Sequence, residues 1–295
     1  MPVLPAIDGV SPSRFQLPIG PWTTVLDALC ACFPKVDRDT WTSRFLRGRI
    51  FDASGTPLPV NAPYRVGAEI RYYREVMDEA RIDATETLLH VDADLIVVDK
   101  PHGLPVMPGG SYVADTLLAR LVRRFGDIGI VPLHRLDRPT AGVVLFSANP
   151  ATRSRYQALF RDRAIDKRYE AIAAPLPEMR FPMQRQSRLE RGEPFFRMRE
   201  TEGEPNAFTD IDVLARGDAA WRYALSPITG RKHQLRVHMA ALGAPIANDT
   251  LYPVLRDAMP DDPQHPLKLL ARSLDFIDPA TGVQRRFESA QTLRF

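Results

Sequence analysis

The sequence is poor in cysteine and lysine and has no long apolar run. Its two cysteines, Cys30 and Cys32, are too close together for an ordinary disulfide, and no second pair completes a zinc site. No stretch of about 20 consecutive apolar residues is present, so no membrane-spanning helix is predicted. The N-terminal stretch lacks a basic segment followed by an apolar one, and we therefore expect no secretory signal and a cytoplasmic location.

Lysine is scarce because arginine takes its place. Five of the 39 basic residues are lysines, so 34 are arginines. Arginine binds phosphate in a bidentate manner and stacks on bases, but codon usage in a GC-rich genome would give the same bias, and both explanations stay open. Residues 151–200 hold 12 Lys or Arg against 7 Asp or Glu, a local excess of +5 in a chain of net charge +3. This excess favours a surface that faces a polyanion.

Residues 1–82 have the pattern of a small α/β module. The segment TTVLDALCACF has apolar side chains at helical spacing, and DRDTWTSRFLRGRIF predicts a second helix that begins after Asp37 or Asp39 and ends near Gly48. Short strands, beginning with RIF, are predicted to follow. Four arginines lie along the second helix and its exit: Arg38, Arg44, Arg47 and Arg49. A solvated helix face would carry the same arginines, so this pattern alone leaves their environment open.

Residues 83–295 alternate short strands and helices without the regular spacing of a parallel βαβ fold. The runs LIVV and AGVVLFS predict buried strands, and ADTLLARLVRRFG, PATRSRYQALFRDRAID and RKHQLRVHMAALG predict helices. Two further runs joined by Gly217-Asp218 predict a hairpin. Residues 180–206 are charged and contain several prolines, and they are predicted to be a long excursion. The pattern as a whole predicts an α+β protein with a mixed, mainly antiparallel sheet.

The stretch VPLHRLDRPTAGVVLFS contains a single carboxylate, Asp137, among His134, Arg135 and Arg138. Such a carboxylate can be a surface ion-pair partner, a metal ligand, or a covalent nucleophile that adjacent guanidinium groups keep ionised. The residues of this stretch leave all three interpretations open.

Motif absences narrow the choice of chemistry. The chain lacks phosphate-binding glycine loops, the H-E-x-x-H zinc motif and the G-x-S-x-G nucleophile motif. The HRLD segment differs from the kinase H-R-D loop by its extra leucine and by the missing downstream asparagine. A metal site is disfavoured because His233 and His238 are five residues apart and so face different directions on a helix or a strand. We predict three histidines to be packing residues that position loops: His134, His233 and His238.

Four segments together resemble the RluA-type pseudouridine synthases. They are LHVDADLIVVDKPHGLPVMPG, PLHRLDRPTAGVVLFS, KRYEAI and PITGRKHQLRVHMAALGAPIANDTLYP, in the family's order, with LKLLARSLDF as a weaker fifth. The combination of H-R-L-D with G-R-x-H-Q-x-R-x-H carries the resemblance, which implies the pseudouridine synthase fold for residues 83–295. The layout of residues 1–82 resembles the αL RNA-binding module of a ribosomal protein and of many RNA-modifying enzymes.

The resemblance implies a role for each matching side chain. Asp137 matches the catalytic aspartate, Tyr169 the tyrosine that packs on the target base, and Arg231 the basic residue that pairs with the aspartate. Arg135 matches the arginine that fills the gap left by the flipped nucleotide, and Leu269 matches a pocket leucine. We further predict three RNA contacts in the αL-like module: Arg44, Arg47 and Arg49.

The implied activity is the isomerisation of uridines in structured RNA to pseudouridine. The reaction breaks the N-glycosidic bond, turns the uracil and rejoins it through carbon, so no cofactor or metal is expected. Asp137 can attack the anomeric carbon or first assist its deprotonation. Large-subunit ribosomal RNA is the favoured target, with transfer RNA as the alternative. A catalytically silent RNA-binding relative and a metal-dependent hydrolase are alternatives of other classes. We expect a monomer with no membrane partner.

Overall fold

The computed structural model describes residues 4–256, 262 and 264–295, which form two compact units. The first unit comprises the described residues up to Glu79, with Pro108–Ala114 and Ala119–Asp127. The second unit comprises the other described residues. The two units therefore do not divide at a single point, and the predicted domain boundary after residue 82 stays a prediction. None of the described helices is long and apolar enough to cross a membrane.

The N-terminal part of the first unit contains a small antiparallel sheet and two short helices. Their bounds are β1 Ser13–Gln16, α1 Val25–Cys32, α2 Arg38–Leu46, β2 Ile50–Asp52 and β3 Glu69–Tyr72, with sheet order β1-β3-β2. Thr24 caps α1, and Asp37 caps α2 by accepting a hydrogen bond from the Thr40 amide at 2.6 Å. The two predicted helices and the strand after them are confirmed. Strand β1 was not predicted.

The second unit is built on one large, mainly antiparallel sheet. Its strands are β4 Thr87–Val91, β5 Leu95–Lys100, β6 Val131–Pro132, β7 Ala141–Ser147, β8 Ile165–Ala173, β9 Met183–Arg191, β10 Met198–Thr201, β11 Ala207–Arg216, β12 Trp221–Pro227, β13 Leu269–Ile277 and β14 Gln284–Glu288. The main path runs β10-β9-β11-β12-β8-β13-β7-β5-β4, while β14 pairs with β13 and β6 with β7. Among the strands described, only β7 and β13 pair in parallel. The α+β fold class is confirmed.

Three further helices follow along the chain: α3 Leu117–Phe125, most of which belongs to the first unit, and α4 Arg153–Arg161 and α5 Gln234–Ala241, which belong to the second. Helix α4 buries Tyr156 and Leu159 in a core formed with β5, β7 and β13. Helix α5 packs on β9–β12 and buries Leu235 and Met239 in a second core. Helix α5 begins three residues later than RKHQLRVHMAALG predicts, and this shift decides which arginine reaches Asp137.

The prediction that residues 180–206 form a long excursion from the sheet is wrong. The segment contains β9 and β10, which extend the sheet beyond β11. Strand β9 reads MQRQSRLER, and its side chains are largely exposed or half-buried, except for Leu189. Leu189 packs with Val237 of α5 and with Tyr252. The strand has one solvated face near the sheet edge, so its charged composition concealed its extended structure.

Gly142 lies where β7 and β13 meet in parallel. Its φ is +114°, a backbone conformation that favours glycine. A Cβ at this position would come 2.1 Å from the Ala271 carbonyl oxygen. The glycine after Thr140-Ala141 therefore permits the close pairing of β7 with β13 directly after the Asp137 turn.

Candidate active site

A cavity of about 700 Å³ lies in the second unit, bordered by the turn after β6, strands β8 and β13, and the loop before α5. Five side chains singled out in the sequence line it: Asp137, Tyr169, Arg231, Arg135 and Leu269. The structure thus brings together residues that lie up to 134 positions apart in the chain. Their individual roles stay predictions.

The turn that bears Asp137 is clamped by a buried lysine. Lys100 is fully buried, and its ammonium group donates to the carbonyl oxygens of Pro101 at 3.0 Å, Leu104 at 2.7 Å and Arg138 at 3.0 Å. The Gly103 amide donates to the same Arg138 carbonyl at 3.0 Å. Hydrogen bonds from a charged donor contribute about 1.5–3 kcal/mol each. The segment DKPHG therefore holds the residue that follows Asp137.

Two more hydrogen bonds complete this turn. The Thr140 amide donates to the Asp137 carbonyl at 3.0 Å, and Nδ1 of His102 lies 2.7 Å from the Pro139 carbonyl. Because a carbonyl only accepts, Nδ1 of His102 carries the proton. Burial lowers the pKa of His102, which keeps the ring neutral near pH 7. Lys100 and His102 thus hold the backbone beside Asp137, and the sequence reasoning did not single them out, although DKPHG was among the segments that carry the family resemblance.

Arg236 is the arginine that pairs with Asp137. It is buried in the first turn of α5, with Nη1 3.4 Å from Oδ2 of Asp137. Its Nε and Nη2 donate to the two carboxylate oxygens of Asp249, each at 2.7 Å. Burial opposes the charge on this guanidinium, but the hydrogen bonds and negative charge of Asp249, with Asp137 behind, raise the pKa of Arg236. A permanent cation therefore lies beside Asp137.

The prediction that Arg231 pairs with Asp137 is wrong in this structure. The Nε of Arg231 donates instead to the Asn206 carbonyl at 3.2 Å, and the side chain is exposed at the cavity wall. Because α5 begins at Gln234, Arg231 lies in the preceding loop, whereas Arg236 lies on the helix. The G-R-K-H-Q-L-R segment contains both arginines, and only the helix start distinguishes them.

Gln234 anchors the loop that carries Arg231. Its Oε1 accepts hydrogen bonds from the Thr229 hydroxyl at 2.7 Å and the Arg231 amide at 3.1 Å. Its Nε2 donates to the Phe208 carbonyl and the Thr209 hydroxyl, both at 2.9 Å. All four hydrogen-bonding positions of this buried amide are satisfied, so the loop has a defined conformation.

Tyr169 and Leu269 form an apolar part of the cavity wall. Tyr169 lies opposite Ala271 on the neighbouring strand, and Leu269 lies opposite Ala171. Burial, together with the negative charge of Asp137, raises the pKa of the Tyr169 hydroxyl, so the ring stays neutral. A neutral aromatic ring beside an aliphatic side chain suits a planar base.

Cations dominate the rest of the cavity wall. Besides Arg236, five basic side chains line it: Arg135, Arg163, Arg231, Lys167 and Lys232. Asp137 is the one carboxylate among the lining residues that the structure describes. Lys167 lies on the same face of β8 as Tyr169, two residues away, and donates to the Thr229 carbonyl at 3.2 Å. Burial and the neighbouring positive charge of Arg163 lower the pKa of Lys167. The cavity therefore favours an anionic ligand.

Two of the predicted packing histidines, His134 and His238, form their described hydrogen bonds with groups other than Asp137. Nε2 of His134 accepts from the Leu145 amide at 3.1 Å, and burial lowers the pKa of His134 to about 3. His238 lies 3.0 Å from both the Ser187 and the Thr209 hydroxyls, and burial lowers its pKa to about 4. In the described part of the chain, no three His, Cys, Asp or Glu side chains are grouped closely enough to hold a metal ion.

The three arginines predicted as RNA contacts in the first unit converge on Glu75. Arg47 pairs with both carboxylate oxygens, at 3.1 and 2.6 Å, and Arg49 lies 3.2 Å from one of them. Arg44 is 6% exposed, packs over the Trp41 ring at 4.7 Å and donates to the Glu75 carbonyl. Arg44 is therefore not available for RNA in this structure, which corrects its predicted role. RNA contact by Arg47 and Arg49 stays a prediction.

Comparison with known proteins identifies the family of RNA-modifying enzymes to which this fold belongs. The model of the RNA pseudouridylate synthase family matches residues 94–241, about half of the chain. The chain belongs to this family and to its RluA-type branch, and it is an RNA pseudouridine synthase. The family assignment made from the sequence segments is confirmed.

Three known proteins illustrate the similarity. The dual-specificity RNA pseudouridine synthase RluA of Haemophilus influenzae is 34% identical over 213 residues, which is 68% of this chain and 91% of that protein. The ribosomal large subunit pseudouridine synthase D of Pseudomonas aeruginosa is 30% identical over 226 residues, covering 68% of this chain and 67% of that protein. The structure of human RNA pseudouridylate synthase domain containing 1 aligns with a TM-score of 0.57 and 25% identity, covering 70% of this chain and 84% of that one.

Proposed function

We propose that this enzyme isomerises specific uridines in RNA with Asp137 as the catalytic carboxylate. The observation that carries the proposal is the position of Asp137 in a cation-lined cavity, ion-paired with buried Arg236. Both described contacts of the carboxylate, from Arg236 and His233, use Oδ2. Among the described residues, Oδ1 accepts no hydrogen bond, and we therefore assign the reaction with the substrate to this oxygen.

The chemistry requires one ionised carboxylate held against the ribose. The N1–C1′ bond breaks, the uracil turns, and C5 forms a bond to C1′. C5 then loses its proton and N1 gains one, so atoms and electrons balance within the nucleotide. Oδ1 of Asp137 can attack C1′ or accept a proton from C2′. In either route Arg236, whose Nη1 lies 3.4 Å from Oδ2, orients the carboxylate. Tyr169 and Leu269 offer a surface on which the uracil turns.

The target uridine must leave its stack to reach Asp137, at a cost of a few kcal/mol. Arg135 precedes Asp137 by two residues and is exposed at the cavity mouth, from which its guanidinium can occupy the vacated position. We propose that three further basic side chains of the cavity wall contact the phosphates on either side of the flipped nucleotide: Lys167, Arg163 and Lys232.

Large-subunit ribosomal RNA is the proposed target. One support is the relative whose name specifies the ribosomal large subunit. Another relative is named for dual specificity, which implies a second RNA class for that protein. We propose transfer RNA as the alternative target of this chain.

Mapping pseudouridines in a deletion strain tests the target. We expect at least one pseudouridine to disappear from large-subunit ribosomal RNA and to return when the wild-type protein is supplied. Loss confined to transfer RNA would favour the alternative target. If neither RNA lost a pseudouridine, the proposed substrates would be wrong.

We also propose that the N-terminal module, predicted as residues 1–82, contributes to RNA binding. The support is its helix–helix–strand layout and the partly exposed Arg47 at the end of α2. Arg47→Gln in the full chain should weaken binding to structured RNA, and unchanged affinity would contradict a contact there. The monomeric state and the cytoplasmic location stay predictions.

A further inference from the structure

Tyr252 contacts both side chains that approach Asp137. It is 5% exposed and lies in the segment between α5 and β13. The Arg236 guanidinium packs over its ring at 5.4 Å, and its hydroxyl lies 2.9 Å from Nδ1 of His233. Arg236 and His233 are the two basic side chains for which the structure describes a nitrogen within 4 Å of the Asp137 carboxylate. Tyr252 is thus placed to orient both.

His233 has an unusual backbone conformation that directs its ring. Its φ is +54°, in the left-handed region, and it is the N-cap of α5. Such a conformation costs about 1–3 kcal/mol for a residue other than glycine, so the surroundings must hold it. The buried ring lies with Nδ1 towards Tyr252 and with Nε2 3.7 Å from Oδ2 of Asp137. One ring nitrogen therefore faces each partner.

Hydrogen-bond directions around Tyr252 determine which nitrogen carries the proton. The Tyr252 oxygen accepts from the Met198 amide at 2.7 Å. Its own proton then has Nδ1 of His233 as its described acceptor. Burial lowers the pKa of His233 to about 4, so the ring is neutral at pH 7 and has one proton. If Nδ1 accepts from Tyr252, that proton lies on Nε2, which faces Asp137.

We propose that Tyr252 is a positioning residue that fixes the Nε2–H form of His233 and so holds a neutral hydrogen-bond donor towards Asp137. The 3.7 Å separation is longer than a hydrogen bond, and the proposal requires it to shorten when substrate binds. Together, Arg236 and His233 would hold Oδ2 and leave Oδ1 directed at the ribose. This proposal rests on the assignment of Asp137 as the catalytic carboxylate.

Nitrogen NMR of the full chain tests the proton position without any RNA. The protein is labelled with ¹⁵N-histidine, and the His233 signals are assigned by their absence from His233→Asn, since asparagine tolerates a left-handed backbone. We expect a protonated Nε2 and an unprotonated Nδ1 in the wild type, and a changed proton distribution in Tyr252→Phe. A proton on Nδ1 in the wild type would overturn the proposal, as would an unchanged pattern in Tyr252→Phe.

Kinetics then test the consequence. Tyr223→Phe is the matched control, because it also removes a buried hydroxyl, one that donates to the Ala174 carbonyl at 2.8 Å and does not line the cavity. With RNA from the deletion strain as substrate, Tyr252→Phe should lower kcat about tenfold or more with little change in KM, and the control should change neither appreciably.

The two proposals fail in different ways. If Tyr252→Phe altered the proton distribution but kept wild-type kcat, the positioning role would be wrong while the activity stood. An inactive wild-type protein would instead refute the proposed substrate, and the NMR result would still decide the proton position.

Discussion

Replacing Arg236 by methionine tests the structural basis of the site. Arg236 is 2% exposed, and its guanidinium bonds both carboxylate oxygens of Asp249 at 2.7 Å. Methionine is a flexible apolar side chain that can fill much of the space, but Asp249, itself 3% exposed, would lose its counter-ion. Removing one partner of a buried ion pair costs about 3–5 kcal/mol. Since domains are stable by about 5–15 kcal/mol, Arg236→Met should fold but be much less stable.

Urea denaturation measures the free energy of unfolding, and pseudouridine formation measures kcat. Arg231→Met is the matched control, because Arg231 lines the same cavity but is exposed. We expect the control to change stability by no more than about 0.5 kcal/mol. Arg236→Lys keeps a positive charge without the two-pronged geometry, and it should give intermediate stability and activity.

The measured stability and kcat values show whether Arg231 or Arg236, which lie in one sequence segment, is the partner of Asp137. If Arg231→Met reduced stability and kcat as much as Arg236→Met did, Arg231 would be the functional partner of Asp137 and the structural correction would be wrong. A cost below about 1 kcal/mol for Arg236→Met would show that the buried pair is not what supports the site.

Three further predictions follow from the same unit. Gly142→Ala should cost about 2–4 kcal/mol in urea denaturation, because φ is +114° and the new methyl would meet a β13 carbonyl; a neutral effect would contradict the strand pairing. The pKa values of His134, His233 and His238 are lowered to about 3, 4 and 4, so the unfolded chain takes up protons first, below about pH 6.5. The free energy of unfolding should therefore be lower at pH 5 than at pH 7, by up to about 2 kcal/mol for each histidine, and constant stability over this range would refute the neutral state of these rings in the folded protein. Lys167→Met should lower the salt dependence of RNA binding by about 0.7 in log–log slope, whereas an unchanged slope would exclude a phosphate contact.

The order and type of the elements around the site were readable from the sequence because periodicity is local. The buried runs of β5 and β7 and the glycine that follows α5 all appear where the pattern predicts them. Strand β9 was not predicted because most of its side chains are exposed or half-buried. Their high proportion of charged residues is typical of a loop.

Long-range partners were not readable in the same way. Arg44 and Glu75 are 31 residues apart, and nothing in the helix sequence indicates that the arginine is buried. Lys100 likewise contacts a carbonyl 38 residues away. Both Asp137 and Tyr169, which the family segments singled out, line the same cavity. The choice between Arg231 and Arg236 required knowledge of the residue at which α5 begins.

The most direct test of the account is the activity of Asp137→Asn on RNA from the deletion strain. Asparagine keeps the shape of the side chain but can neither attack C1′ nor accept a proton as a carboxylate does. We predict no detectable pseudouridine, with urea stability and RNA affinity close to those of the wild type. Substantial pseudouridine formation by Asp137→Asn would contradict the central claim that this carboxylate performs the reaction.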